Sequence, residues 1–202
     1  MRRLATAWVL AGCCLAAPAA HANGDPASDY LLTQNTFVPF DAKVSKGQAD
    51  ALNAIVVDAK EKGYTIRVAL ISKEFDLGAV PSLWRKPKTY ARFLGQELFF
   101  VYKGRLLVVM PNGYGVSRGG KPLANAQDVV DALPEAGEGG EALAAAATRA
   151  VQRLAAQAGV RVEIPAASSG DSSTSDRLLI AAIAGGVLLL ILAGVLVRRL
   201  LT

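Results

Sequence analysis

Apolar and polar positions along this chain fall into three regimes. Leu178–Val197, LLIAAIAGGVLLLILAGVLV, runs for twenty residues without a charge, an amide or a proline. At about 1.5 Å per residue a helix of that length reaches roughly 30 Å, the hydrocarbon thickness of a bilayer, so one transmembrane helix is predicted over 178–197. At the other end Arg2 and Arg3 precede an apolar run, Leu4–Leu15, and Ala20-His21-Ala22 stands before Asn23. That is the layout of a secretory signal peptide over 1–22. Between these two apolar blocks the pattern is that of a folded domain, 23–164.

Within it, Ser45-Lys46-Gly47-Gln48 has capping-box form. Ala49, Leu52, Ile55, Val56 and Ala59 follow at helical spacing, and Gly63 stands where a C-terminal cap belongs, which predicts a helix over 46–62. Residues 64–72, YTIRVALIS, read as a strand whose centre, Val68–Ile71, is continuously apolar, as expected with both faces covered. Lys73–Trp84 reads as a loop or short helix. Pro87 opens the next helix, predicted to run to about Lys103 with Tyr90, Phe93, Leu94, Leu98 and Val101 inward and Gly104 ending it. Arg105–Met110 is a second buried strand, Asn112-Gly113 a hairpin signal, and Tyr114–Val116 a short returning strand. Ala126–Leu133 and Glu141–Ala158 read as two further helices. Asn23–Asp41 shows no clear period and is expected to run as an extended arm, pinned to the core by Phe37, Val38 and Phe40. Trp84 reads as a core anchor.

Strand 64–72, helix 87–103 and strand 105–110 form a βαβ unit, expected to be parallel with a right-handed crossover. The fold class is therefore α/β, a small Rossmann-like sandwich with a parallel βαβ core, plus one C-terminal transmembrane helix. Residues 165–177 include AASSGDSSTSD, small, polar and aperiodic, and read as a flexible linker. Arg198 and Arg199 follow the span and assign the tail 198–202 to the cytoplasm, which predicts a single-pass membrane protein with its N-terminal domain outside.

Composition narrows the chemistry. Cys13 and Cys14 are the only cysteines and His21 the only histidine, and all three lie within the predicted signal. Cleavage after Ala22 leaves a domain with no thiol and no imidazole. Disulfides, Ser-His-Asp triads, histidine bases and Cys/His zinc sites are thereby excluded. A second reading stays open, since Leu10-Ala11-Gly12-Cys13 fits a lipobox with Cys13 lipidated. Cleavage there would leave a very short signal core beside an anchor already present at the C-terminus. The formal charge of +5 does not describe the domain. Arg2, Arg3, Arg198 and Arg199 lie outside 23–177, which keeps 18 basic residues against all 17 acidic ones. A net of +1 gives no basic platform for nucleic acid.

If the two strands are parallel, their C-terminal ends share one sheet edge, where open α/β sheets bind ligands. Ser72, Lys73 and Asp76 follow the first strand there, and Asn112, Gly113 and Tyr114 follow the second. Arg118 and Lys121 are candidates to return to the same side. A carboxylate, hydroxyls, an amide and basic groups suit a cation or an anionic ligand, with Asp76 the candidate metal ligand for Ca or Mg. The plainer alternatives are a turn capped by Asp76, hairpin geometry at Asn112-Gly113 and a solvated Lys73. Arg85-Lys86-Pro87-Lys88 reads first as a solvated helix entrance, and second as a contact for anionic headgroups.

The capped helix from Ser45, then GYTIRVALIS, the helix with YARFLGQELF, and LLVVMPNGYGV up to Val116 resemble the TPM domain family, in a divergent, membrane-anchored bacterial form. The resemblance covers about half of the predicted ectodomain and rests mostly on hydrophobic pattern. Thr36–Phe40 reads TFVPF where that family carries an Asp-containing segment, and Lys103-Gly104-Arg105 replaces its usual Asn-Asn-Gly entrance to the later strand. The resemblance implies a role in assembly or repair of membrane complexes or beside receptors, and, for some members, phosphatase activity. No motif here marks a catalytic residue to carry over. The expected function is a membrane-tethered extracytoplasmic binding or accessory domain acting on a neighbouring membrane protein or envelope component. The alternative is a weak metal-dependent phosphatase.

Overall fold

The computed structural model describes residues 24–163. The predicted signal peptide 1–22, linker 165–177, transmembrane helix 178–197 and tail 198–202 lie outside the described residues. No helix among the described residues is long and apolar enough to cross a membrane.

In chain order the elements are α1 (Pro26–Leu31), β1 (Thr36–Phe37), α2 (Lys46–Glu61), β2 (Ile66–Leu70), α3 (Pro87–Glu97), β3 (Arg105–Met110), β4 (Gly113–Arg118), β5 (Lys121–Pro122), α4 (Ala124–Asp131) and α5 (Gly140–Gln157), with 3₁₀ turns at Phe40–Ala42, Glu74–Leu77 and Pro81–Leu83. The strands form one mixed sheet in the order β1-β2-β3-β4-β5. β1, β2 and β3 are parallel, and β4 and β5 continue antiparallel. The class is α/β.

Alternation along the strands sorts their side chains into two cores. Ile66, Val68, Leu70, Leu107, Val109, Tyr114 and Val116 meet Leu52, Ile55, Val56 and Ala59 of α2 and the alanine-rich face of α5. Ala69, Ile71, Leu106, Val108 and Met110 meet α1 and the Tyr90, Ala91 and Leu94 face of α3. Both faces of β2 are thus covered, which is why Val68–Ile71 has no polar position. Each fully buried Leu, Ile or Val contributes about 1.5–3 kcal/mol, and α2 supplies Leu52, Ile55 and Val56 at 0 % exposure.

The two crossovers differ in hand. β1 to β2 and β2 to β3 each move one place in the same direction across the sheet. Their connecting helices α2 and α3 lie on opposite faces. Two steps of the same hand and direction would put both helices on one face. The two crossovers are therefore of opposite hand, so one of them departs from the usual right-handed connection.

Three expectations are corrected. The N-terminal arm is not extended throughout: Asp25 caps α1, accepting from the Ala27 N–H, and Pro26 occupies its first turn. Phe37 is buried and Val38 half-buried, but Phe40 is fully exposed on a 3₁₀ turn. α3 ends at Glu97 rather than near Lys103, and Val101 is exposed. There the chain turns back on itself: the N–H groups of Val101 and Tyr102 both reach the Leu98 carbonyl, and Tyr102 Oη donates to the Arg105 carbonyl at 2.7 Å. In the hairpin, Met110 pairs with Gly113, so the turn residues are Pro111-Asn112 rather than Asn112-Gly113. Pro111 brings its fixed φ to the first central position. Trp84, half-buried, packs against the α3-side core.

Candidate functional site

The C-terminal ends of β1, β2 and β3 share one edge, and the loops that leave them build it. Asp76, 5 % exposed, turns Oδ2 back to the end of β2. That oxygen accepts from the Ser72 N–H (2.7 Å), the Ser72 hydroxyl (2.8 Å) and the Lys73 N–H (2.9 Å). These bonds fix the turn through Leu77 and Gly78. Lys73 extends outward and pairs with Asp41 on the loop after β1. Its ammonium holds the Asp41 carboxyl below the usual range, and Asp41 in turn holds Lys73 above its own. The pair joins two loops, each carrying an outward phenylalanine. Phe40 is 105 % exposed relative to its reference and Phe75 86 %. Pro26, Lys73, Glu74, Phe75, Gly78 and Pro81 enclose a cavity of about 500 Å³ beside them.

Farther along the same edge lies a cavity of about 520 Å³ between the start of α3, the β3–β4 turn and the segment after α4. Asn112 and Tyr114 line it, as do Arg85, Lys86, Pro87 and Lys88. Asn112 Nδ2 donates to the Arg85 carbonyl at 2.8 Å and holds Arg85 at φ 57°, a left-handed conformation uncommon for an arginine. Asn112 Oδ1 is buried without a partner among the described residues. The basic cluster is matched by acids: Arg85 pairs with Glu138 and Lys88 with Asp131, each at 2.7 Å. Lys86 Nζ donates to the Ser82 carbonyl. Tyr114 is buried and its hydroxyl donates to the Pro134 carbonyl at 2.9 Å.

The sequence-predicted residues are thus divided. Ser72 and Asp76 hold a turn, Lys73 bridges two loops, and Asn112 and Tyr114 line the other cavity. Arg118 is not with them. It pairs in register with Arg105 at the far end of β4, and Lys121 pairs with it across the next turn. The antiparallel return of β4 carries both away from the edge.

One buried ionisable cluster escaped sequence reasoning. Tyr90, fully buried on α3, donates its hydroxyl to the Asp25 carboxylate, with oxygens at 2.7 and 2.8 Å. Asp25 is 5 % exposed, and burial raises its pKa from 3.8 to about 6 despite that hydrogen bond. Burial and the adjacent Asp25 push Tyr90 upward as well. The available signal was Asp25-Pro26, an N-cap followed by a first-turn proline.

Chemically, this edge offers exposed aromatic surface framed by paired charges. Among the described residues no group of three or more His, Cys, Asp or Glu side chains is placed to hold a metal ion. Calcium or magnesium at Asp76 would compete with the three donors already on Oδ2. No protein-family model matches the chain, and the comparisons with curated proteins and with solved structures found no match.

Proposed function

We propose that this chain is a membrane-tethered, extracytoplasmic binding or accessory domain, and that the C-terminal edge of its parallel strands receives a neighbouring membrane or envelope protein. The observation that carries this reading is the exposure of Phe40 and Phe75 on two loops tied together by Lys73 and Asp41. Large exposed aromatic rings leave water only when a partner covers them, and aromatic anchors dominate protein interfaces. The tether reading rests on the sequence: a signal peptide over 1–22, an apolar span over 178–197, and Arg198-Arg199 assigning the tail to the cytoplasm. The TPM-like, Rossmann-like reading belongs to the same proposal, supported by the parallel β1-α2-β2-α3-β3 run and the hairpin after it. Phosphatase chemistry finds no favouring observation, since Asp76 is committed to its turn.

The experiment is affinity capture of the full chain from its own membranes beside a Phe40→Ala/Phe75→Ala variant. Both side chains are exposed, so the variant is expected to keep its melting temperature while losing a co-purifying membrane or envelope protein at least tenfold. Equal recovery by both chains contradicts the assignment of this edge.

A further inference from the structure

The opposite edge of the sheet carries a second exposed apolar surface of different chemistry. Where α3 ends, Phe99, Phe100 and Val101 are 42 %, 94 % and 62 % exposed. They do not stand alone. The Lys103 ammonium lies 4.7 Å from the centre of the Phe99 ring, and Gly119 of the β4–β5 turn lies beneath that same ring. Arg105 and Arg118 pair across β3 and β4 at this end, and Lys121 is the next residue after the Gly119-Gly120 turn. Arg67 rests over Tyr102 at 4.1 Å and Arg105 over Tyr64 at 4.3 Å. Among the described residues none of Lys103, Arg105, Arg118 and Lys121 joins an ion pair, unlike Lys73, Arg85 and Lys88 around the opposite edge. In sequence the nearest carboxylate is Glu97 for Lys103 and Arg105 and Asp128 for Arg118 and Lys121.

The two chain ends point the same way. Gly24, the first described residue, lies against Gly78 at the Phe40–Phe75 edge. Glu163, the last, donates its N–H to Asp58 in the final turn of α2, and the preceding turn follows the end of α5. α2 descends from the C-terminal edge, so Glu163 leaves from the edge that bears Phe99–Val101. An extended chain spans at most about 3.6 Å per residue, so the fifteen residues from Glu163 to Leu178 cover at most about 54 Å, and the apolar sequence follows the chain out of this end of the domain.

We infer that Phe99, Phe100 and Val101 insert into the interfacial layer of the bilayer, with Lys103, Arg105, Arg118 and Lys121 on anionic headgroups. Aromatic rings favour that layer, and the stems of lysine and arginine lie along apolar surface while their charges reach the headgroups. The inference rests on the tether reading above and deepens it: the domain lies on the membrane in one orientation, its Phe40–Phe75 edge turned away.

The test uses the full chain with Cys13→Ser, Cys14→Ser and Val101→Cys, labelled at residue 101 with a polarity-sensitive fluorophore. The chain is reconstituted into vesicles of phosphatidylcholine with 30 % phosphatidylglycerol, about a third anionic lipid. A second chain carries the label at Phe75→Cys. The label at 101 is expected to shift to the blue and to be quenched several-fold more strongly than that at 75 by lipids brominated on the acyl chain. Lys103→Glu/Arg118→Glu is expected to abolish most of that difference, as is replacing the anionic lipid with phosphatidylcholine. A chain that floats with vesicles while both labels report water overturns the docking and leaves the tether standing. A chain that fails to float overturns the tether and the docking with it. A label at 101 that is shielded but not quenched by lipid assigns the patch to a protein contact and overturns the inference.

Discussion

Asp25 and Tyr90 set the most informative single-residue behaviour of this domain. A carboxyl with a folded pKa near 6 and an ordinary value of 3.8 binds its proton more readily in the folded state. Its contribution to stability is therefore full below about pH 4 and is lost as pH rises through about 6. Two units correspond to roughly 3 kcal/mol, as an upper order of magnitude. Denaturant midpoints measured from pH 4 to pH 7 should fall in that window, and Asp25→Asn should flatten the decline. Tyr90→Phe removes a hydrogen bond that favours the carboxylate, so it should lower stability and move the end of the window above pH 6. An unchanged pH profile in both variants would contradict the buried pair. At Asp76 the same scale gives a different expectation. Asp76→Asn keeps an acceptor for Ser72 and Lys73 but loses the charge, and should cost about 1–2 kcal/mol in urea unfolding. Millimolar calcium or magnesium should leave the melting temperature of the unaltered chain in place. A saturable rise abolished by Asp76→Asn would restore the metal reading.

Elements were legible in the sequence where one physical signal dominated. α2 follows from its capping serine, apolar stripe and Gly63, and β3 from six residues bounded by charge and proline. α3 was overextended because Leu98, Phe99, Val101 and Tyr102 continue an apolar run. What ends the helix is the fold-back of Tyr102 onto Arg105 and beneath Arg67, a tertiary contact no local period encodes. The Pro111-Asn112 turn was missed by one residue because Asn-Gly is the stronger dipeptide signal, while proline's fixed φ decided the register. The opposite hands of the two crossovers depend on which face each helix covers, and that is settled only when both cores form. The loops after β2 and β3 do share one edge of the sheet, as the parallel pairing implies, but Phe40 beside them reads as core in the sequence and is exposed, since hydrophobicity alone does not distinguish a pinned ring from a presented one. Between α3 and β4 the packing leaves no room: a Cβ at Gly115 would stand 2.0 Å from the Pro87 carbonyl oxygen. Gly115→Ala should therefore push the start of α3 off the sheet and cost at least 2 kcal/mol, measured by chemical unfolding.

On the scale of the whole molecule, a sheet with distinct ends separates two kinds of surface. One end presents Phe40 and Phe75 among paired charges; the other presents Phe99–Val101 among unpaired cations and releases the chain toward 178–197. Deleting 178–202 is expected to release the protein into the soluble fraction. Retention on membranes that persists in Lys103→Glu/Arg118→Glu would favour lipidation at Cys13. The central claim is that the Phe40–Phe75 edge is a protein-binding surface facing away from the bilayer. Its most direct test is a photo-cross-linking amino acid placed at Phe75 in the full chain in its native membrane, with the same group at exposed Arg153 as control. A discrete protein adduct from position 75, absent from position 153, is the result predicted. Adducts to lipid from position 75, or no difference between the two positions, would contradict the claim.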